Sequence, residues 1–373
     1  MEYFYFIVLS IIWPFRMCID KCIIKKPRQN KTNETPISIC KHIIQKNVND
    51  GLLWASSLNY TDMWTRDTFF AFISNKKSLG IFADELVNFQ RDDGLIPLYI
   101  GRGNACLKFC CSFKATGPIK ATYSDVKTGD EPTDSCFQFI IMAYPKHKKA
   151  CYAAWDYMQK YVRDGLIYEY GLGTWQDTIK HRGFVAYTNI LYYIATSVLY
   201  PEKAANIKDM IIERLWNGRY FVCSSTNTSF GQVDNALALL YNIAPSYESI
   251  FDIHNRYFSV FSSPNLKIET EKTKPAFGFF DIYLPCWPLG NAEYHNGWSW
   301  SWVNLLFMKA KKKFHIPIDL SYYNQIIQLY DTLYETYDRY GPIRKFFYKS
   351  QPDFSEACGL YIDVNDVNSK IMF

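Results

Sequence analysis

A chain of 373 residues has ample core for one large domain or two modest ones, and it can fold without a metal or a disulfide framework. Its net charge of +5, from 41 Lys and Arg against 36 Asp and Glu, is too slight for a nucleic-acid footprint. Eleven cysteines with no C-x-x-C pair, and no histidines at zinc spacing, argue against a metal site and leave buried thiols and partial disulfides both open.

In chain order, the first element is an apolar run over residues 3–15, followed by Arg16, Lys21, Lys25, Lys26 and Arg28. Thirteen residues are too few to span a bilayer but suit the core of a signal segment. No basic residue precedes the run and no small-x-small cleavage site follows it. Sequons at Asn30, Asn33, Asn59 and Asn227 would suit a secretory route. Residues 1–28 are therefore expected to serve targeting or membrane association, residues 29–37 to be a linker, and residues 38–373 to form a single catalytic domain.

Residues 38–48, 79–91, 147–162, 202–216, 247–260 and 319–338 carry apolar side chains at three- and four-residue spacing, which predicts amphipathic helices. In the last, Leu320, Tyr323, Ile327, Tyr330 and Tyr334 share a face. Each is followed by a loop and a more apolar pattern, beginning near Arg66, Asp134, Ala186, Val233, Trp298 and Ser355. Pro145, Pro201, Pro245 and Pro317 fall between one hairpin and the next, where proline stops one helix and permits another. Strand alternation is scarce. Six helical hairpins, each an outer helix, a loop and a more buried inner helix, predict an all-α fold, an (α/α)6 barrel or six-hairpin toroid. The alternative, a superhelical stack, should show a consensus per unit, and none is visible. Lys309, Lys311, Lys312 and Lys313 read as the charged end of an amphipathic helix.

In such a barrel the loops entering the inner helices converge on one face. They read Trp64-Thr65-Arg66-Asp67, Glu131-Pro132-Thr133-Asp134, Thr174-Trp175-Gln176-Asp177, Gly231-Gln232-Val233-Asp234-Asn235, Glu293-Tyr294-His295-Asn296-Gly297-Trp298 and Gln351-Pro352-Asp353-Phe354-Ser355-Glu356. Helix capping is a sufficient reason for Asp134, Asp234 or Ser355 taken singly. It does not account for Trp at three of the six entrances, nor for Arg66 beside Asp67. A guanidinium next to a carboxylate offers the donors and acceptors that adjacent sugar hydroxyls need. Asp177 and Glu335, the latter in Tyr334-Glu335-Thr336-Tyr337-Asp338, supply the two carboxyl groups of glycosidic cleavage, one to protonate the leaving oxygen and one to activate water or attack carbon.

These motifs carry a resemblance. Trp64-Thr65-Arg66-Asp67-Thr68-Phe69 resembles the Trp-x-Arg-Asp-Thr-Phe motif in the glucosidase domain of glycogen debranching enzymes. Thr174-Trp175-Gln176-Asp177 followed by Arg182-Gly183 resembles that family's Thr-Trp-Met-Asp segment and the equivalent stretch of neutral and alkaline invertases. Tyr294-His295-Asn296-Gly297-x-Ser299-Trp300 is similar to the invertase Tyr-His-Asn-Gly-Gly-Ser-Trp. Glu335-Thr336-Tyr337-Asp338 is similar to the invertase Glu-Tyr-Tyr-Asp and to the Glu-Asn-Tyr-Asn of processing α-glucosidases. The resemblance runs from about Tyr60 to Ile362 in matching order. It implies a six-hairpin glycoside hydrolase acting with inversion on an α-glucosidic or related linkage, with Asp177 as general acid and Glu335 as general base. The carboxyls of such a pair stand about 6.5 to 9.5 Å apart.

Substrate contacts are expected from Trp64, Arg66, Asp67, Asp134, Trp175, Tyr294, His295, Asn296 and Trp298, with a carbohydrate as the partner and no metal or organic cofactor. Two departures bear on the substrate subsite. The glutamate that the invertases and debranching enzymes carry two residues before their match to Asn189 is Tyr187 here, and the second glycine of the invertase turn is Trp298. The competing readings are a carbohydrate-binding or structural protein that has lost turnover and, from a different chemistry, a sugar epimerase. An epimerase generally wants a pair of bases, and His295 is the one histidine at an entrance.

Overall fold

The computed structural model describes residues 33–58, 60–102, 117–125, 128–268, 276–277, 294–295, 297–345 and 348–365. The leader 1–28, the linker as far as residue 32, Asn59, Cys110, Cys111, Glu293 and Asn296 lie outside the described residues. Twelve α-helices are present among the described residues, in chain order α1 Pro36–Asn47, α2 Thr65–Ala71, α3 Lys76–Asn88, α4 Ser135–Ala143, α5 Lys148–Met158, α6 Ala186–Leu199, α7 Pro201–Leu215, α8 Gln232–Leu240, α9 Tyr247–Tyr257, α10 Ser301–Lys313, α11 Ser321–Tyr330 and α12 Ser355–Asn365.

The two predicted classes of helix differ in how they are buried. Along α7 the buried side chains are Ala204, Ile207, Ile211 and Leu215, a single stripe at three- and four-residue spacing. Every residue of α8 is buried. The even-numbered helices contact one another in a closed cycle, α2 to α4, α4 to α6, α6 to α8, α8 to α10, α10 to α12, and α12 back to α2. The odd-numbered helices lie outside it, α1 on α12, α3 and α5 on α4, and α7 on α6. Helix α9 meets α10 through Phe251 and His254, whose rings lie 6.0 and 3.6 Å from that of Phe307. The cycle closes tightly at Gly359. A Cβ there would stand 2.1 Å from the carbonyl oxygen of Ala71, so α12 approaches α2 this closely only with glycine.

The purely helical expectation misses what the loops do. Asp62–Trp64, Tyr99–Arg102 and Ile119–Thr122 form an antiparallel sheet. So do Leu166–Gly171 with Val162–Arg163 and His181–Phe184, and Thr336–Asp338 with Ser299–Trp300 and Gly341–Pro342. These strands are two to six residues long, too short to show alternation in sequence. The helix expected over 319–338 ends at Tyr330, where Asp331 turns left-handed with φ 55°. Beyond it the chain is extended, with Phe354 N–H donating to Leu333 O and Glu335 N–H to Gln351 O. Tyr334 does meet Tyr330 edge-on at 5.9 Å, as their spacing suggests, but it does so from the extended stretch beyond the helix, where it also packs against Tyr337.

Side-chain caps occur on only some of the outer helices, and α5, α7 and α11 begin without one. Outer helices α1, α3 and α9 begin under the side chains of Thr35, Asn75 and Ser246. At the starts of α2, α4, α6, α8 and α10 no side chain caps the helix. Capping therefore does not explain Asp134, and the hydroxyl of Ser355 donates instead to Trp54 O at 2.6 Å. Nor is the lysine cluster a merely solvated helix end. Lys313 Nζ donates to Leu239 O and Leu240 O at the end of α8, at 3.0 and 2.6 Å. Lys312 Nζ donates to Val364 O of α12 at 2.9 Å, and Lys309 Nζ to Asp363 Oδ2 at 2.5 Å. Lys312 and Lys313 thus reach carbonyls at the ends of neighbouring inner helices, while Lys309 pairs with a carboxylate. Cys40, Cys136, Cys151, Cys223 and Cys358 are buried free thiols. Among the described residues no helix is long and apolar enough to cross a membrane, and no cluster of three His, Cys, Asp or Glu side chains is arranged to hold a metal.

Candidate active site

The loops and first turns of the inner helices line a partly open cavity. Tyr60, Trp64, Trp175, Tyr294, Trp300, Trp302 and Phe354 form its aromatic walls, and Arg66, Asp67, Asp177, Glu335 and Glu356 its ionisable lining. Residues 60–67 come from the strand before α2 and its first turn, residues 175 and 177 from the loop ahead of α6, and residues 294–302 from the entrance and first turn of α10. Residues 335–356 come from the entrance of α12.

The two carboxyl groups are held differently. Asp177 is 37% exposed at its side chain, with Oδ1 3.9 Å from His295 Nε2. That imidazole is fixed from two sides, since its Nδ1 lies 2.6 Å from Thr178 Oγ1 and its face stacks on Trp300 at 5.0 Å. Glu335 is buried, and Tyr294 donates its hydroxyl to Glu335 Oε1 at 2.8 Å. Its backbone is tied at both ends. Glu335 N–H donates to Gln351 O, and Glu335 O accepts from Ser301 N–H at the start of α10. Tyr60 joins the two acids: its hydroxyl is bonded to Tyr294, and burial, then Glu335, then Asp177, push it well above its ordinary range. A phenol that feels both charges stands near both.

Arg66 Nε lies 3.8 Å from Asp67 Oδ2, with its guanidinium 5.8 Å from the centre of the Trp64 ring. Burial raises the Asp67 carboxyl to about 6, although Arg66 pulls it down. Burial works against the Arg66 charge, but Asp67, Asp134, Tyr187 and Glu356 outweigh it and hold the guanidinium above its usual value. The pair therefore presents a firm cation beside a readily protonated acid.

Of the residues expected to contact substrate, Trp64, Arg66, Asp67, Trp175 and Tyr294 line the cavity together with Asp177 and Glu335. Three stand outside its lining. His295 is buried behind Asp177. Asp134 is buried and accepts the Tyr187 hydroxyl at Oδ2, at 2.9 Å. Trp298 is buried with its ring 5.6 Å from that of Tyr294. Asn296 falls outside the described residues. Glu169, on the strand ahead of the Asp177 loop, is buried between the hydroxyls of Thr133 and Thr188 and is not part of the cavity lining.

Tyr60, Trp300, Trp302, Phe354 and Glu356 line the cavity without having been singled out from sequence. Trp300 and Trp302 had a signal in the Trp-x-Trp-x-Trp run 298–302, where a short strand passes into α10 and sends alternate rings inward. Tyr60 and Phe354 had none, because single aromatics in an aromatic-rich chain do not stand out.

No family model matches the sequence, and none of the curated proteins compared with it does. Solved structures do match. A glycosidase variant in complex with glucose is 12% identical, with a TM-score of 0.58 over 88% of this chain and 95% of that one. The wild-type glycosidase gives 12% identity and a TM-score of 0.56 over the same shares. The GH63 mannosylglycerate hydrolase from Thermus thermophilus, in complex with Tris and D-glycerate, is 10% identical, with a TM-score of 0.54 over 88% of this chain and 99% of that one. The chain shares the fold of these glycosidases. The motif resemblance in the sequence and the likeness in structure point to the same group of folds.

Proposed function

We propose that the protein is an inverting glycoside hydrolase on an (α/α)6 barrel, acting on an α-glucosidic or related linkage, with Asp177 as general acid and Glu335 as general base. The observation that carries this reading is that Asp177 and Glu335, far apart in sequence, line one aromatic-walled cavity beside the Arg66–Asp67 pair. The closed cycle of six inner helices supports the barrel, and the glycosidase neighbours support the class of reaction.

In this mechanism Asp177 gives its proton to the glycosidic oxygen as the bond from the anomeric carbon breaks. Glu335 takes a proton from a water that attacks that carbon from the opposite face, so the sugar leaves with inverted configuration. The more exposed acid sits where a leaving group needs room, and the buried base is oriented by Tyr294. Arg66 and Asp67 hold hydroxyls, while Trp64 and Trp175 offer ring faces to the sugar.

The test is to incubate purified protein with sucrose, trehalose, maltose, kojibiose, nigerose and mannosylglycerate and to follow by NMR the anomer first released. Release of the β-anomer from an α-linked substrate is expected. First release of the attacked sugar as the α-anomer would overturn inversion. From trehalose the leaving glucose is α in either case, so there inversion shows as one α and one β product. Saturable binding with no release from any of them would favour the carbohydrate-binding reading instead.

A further inference from the structure

Glu356 stands in the first turn of α12 and lines the cavity, yet it has no part in the acid–base scheme above. Its side chain is almost wholly buried, and Oε1 has no hydrogen-bond partner. A buried carboxyl with an unsatisfied oxygen is costly unless something else completes it. The charged groups facing it are Arg66 and Asp67 from α2, Asp134 from the start of α4 and Glu335 from the entrance of α12. Three of the four are acids, and the single cation is already engaged with Asp67 at 3.8 Å. Position 187, which is a glutamate in the families that the motifs resemble, offers no acid here. Tyr187 is buried, takes a hydrogen bond from Gln138 Nε2 at 2.9 Å and donates its own to Asp134.

We infer that Glu356 is a third carboxyl group of the sugar site, one that contacts a substrate hydroxyl as a hydrogen-bond donor. This deepens the glycosidase reading and rests on it. The donor role follows from the surroundings. Burial first, and then the Asp67 charge, hold the Glu356 carboxyl well above the usual range, against the pull of Arg66. A carboxylate only accepts, whereas a protonated carboxyl has one O–H to give. A sugar hydroxyl between Asp67 and Glu356 could then donate to the first and accept from the second. The pattern favours substrates with an intact hydroxyl at that place and penalises a deoxy sugar, which would leave the buried donor unpaired.

The experiment measures binding of D-glucose, D-mannose and methyl α-D-glucoside by calorimetry, from about pH 5 to pH 9, to the full chain and to Glu356→Gln and Glu356→Ala, with hydrolysis followed in parallel. The glutamine keeps a neutral donor of the same shape. It should bind within about threefold of the unmodified protein at low pH and should lack that protein's alkaline loss of affinity. The alanine should lose about tenfold or more at low pH, where the unmodified protein still has its donor, as a lost buried hydrogen bond implies. Unchanged affinity in a cooperatively folding Glu356→Ala would overturn the inference while leaving the glycosidase reading intact. So would a glutamine variant as weak as the alanine, since that would mean the carboxylate charge is what acts. If the alanine variant does not fold, the pH profile of Glu356→Gln decides alone, and a profile like that of the unmodified protein overturns the donor role. An unmodified protein that neither binds nor hydrolyses any of the sugars would remove the glycosidase reading, and this inference with it.

Discussion

At Asp177 the carboxyl is partly open to solvent and backed by a fixed imidazole, while Glu335 is buried beneath the hydroxyl of Tyr294. Asp177→Asn keeps the shape but cannot protonate a leaving oxygen. It should lower kcat by about 10² to 10⁴ on substrates with poor leaving groups and largely spare binding, measured as kcat and KM separately. Ordinary turnover would mean that the acid lies elsewhere. Tyr294→Phe removes the hydrogen bond that orients Glu335. We expect kcat to fall by about tenfold or more with a small change in KM, since a bond to a charged group is worth about 1.5–3 kcal/mol. Arg66→Ala or Asp67→Ala should cost at least about tenfold in kcat/KM. A purely structural pair at the start of α2 would instead lower the melting temperature and leave the kinetics of the folded fraction unchanged.

The helices are tied to one another by contacts that their own sequences do not advertise. Lys313 reaches from the last turn of α10 to two carbonyls at the end of α8, and burial lowers its ammonium to about 8. Lys313→Met keeps the aliphatic stem but leaves those carbonyls without this donor. A loss of about 1–3 kcal/mol in a denaturant titration is expected, and an unchanged midpoint would show the lysine to be a solvated end after all. Gly359 sits where α12 meets α2, and Gly359→Ala would drive a methyl group into the Ala71 carbonyl. Overpacking of this kind costs about 1–3 kcal/mol. Because α2 carries Arg66 and Asp67 and α12 carries Glu356, the same change should weaken sugar binding as well as stability.

Across the whole molecule, buried acids make stability fall with rising pH. Burial raises Glu169 and Asp234 to about 7 each, although Glu169 accepts from Thr133 and Thr188. In the unfolded chain both ionise near their ordinary values of 4.5 and 3.8. Between those values and about 7 the folded state binds more protons than the unfolded one. Their contribution is thus fully present below about pH 4 and declines as the pH rises to about 7, by up to a few kcal/mol for each group. His181, lowered to about 4 by burial, and His254, lowered well below its ordinary range, act the opposite way. The check is therefore the change on substitution: Glu169→Gln should make the melting temperature fall less between about pH 5.5 and pH 8 than it does in the unmodified protein. A profile unaffected by the substitution would show that Glu169 is already ionised in the folded protein.

The sequence by itself determined the alternation of helices and the chemistry of the loops between them. Amphipathic spacing is local, so outer helices such as α7 and more apolar ones such as α8 announce themselves residue by residue. The Trp-x-Arg-Asp, Thr-Trp-Gln-Asp and Glu-Thr-Tyr-Asp segments were legible because unusual residue types crowd into a few positions. Tertiary structure alone decided which of these side chains face one cavity. Asp134 and His295 sit in entrance motifs as plausible as that of Asp177, yet one is turned to Tyr187 of α6 and the other to Thr178 in the loop ahead of it, because elements distant in sequence supply partners that spacing cannot reveal. The end of α11 at Asp331 was likewise set by pairing with residues 351–354, twenty positions onward, against a periodicity that continues past it. Glu356 is the clearest case. Its own turn of helix looks like any helix start, and only the closing of α12 onto α2 puts it among Arg66, Asp67 and Glu335, where burial and charge give it a different chemistry.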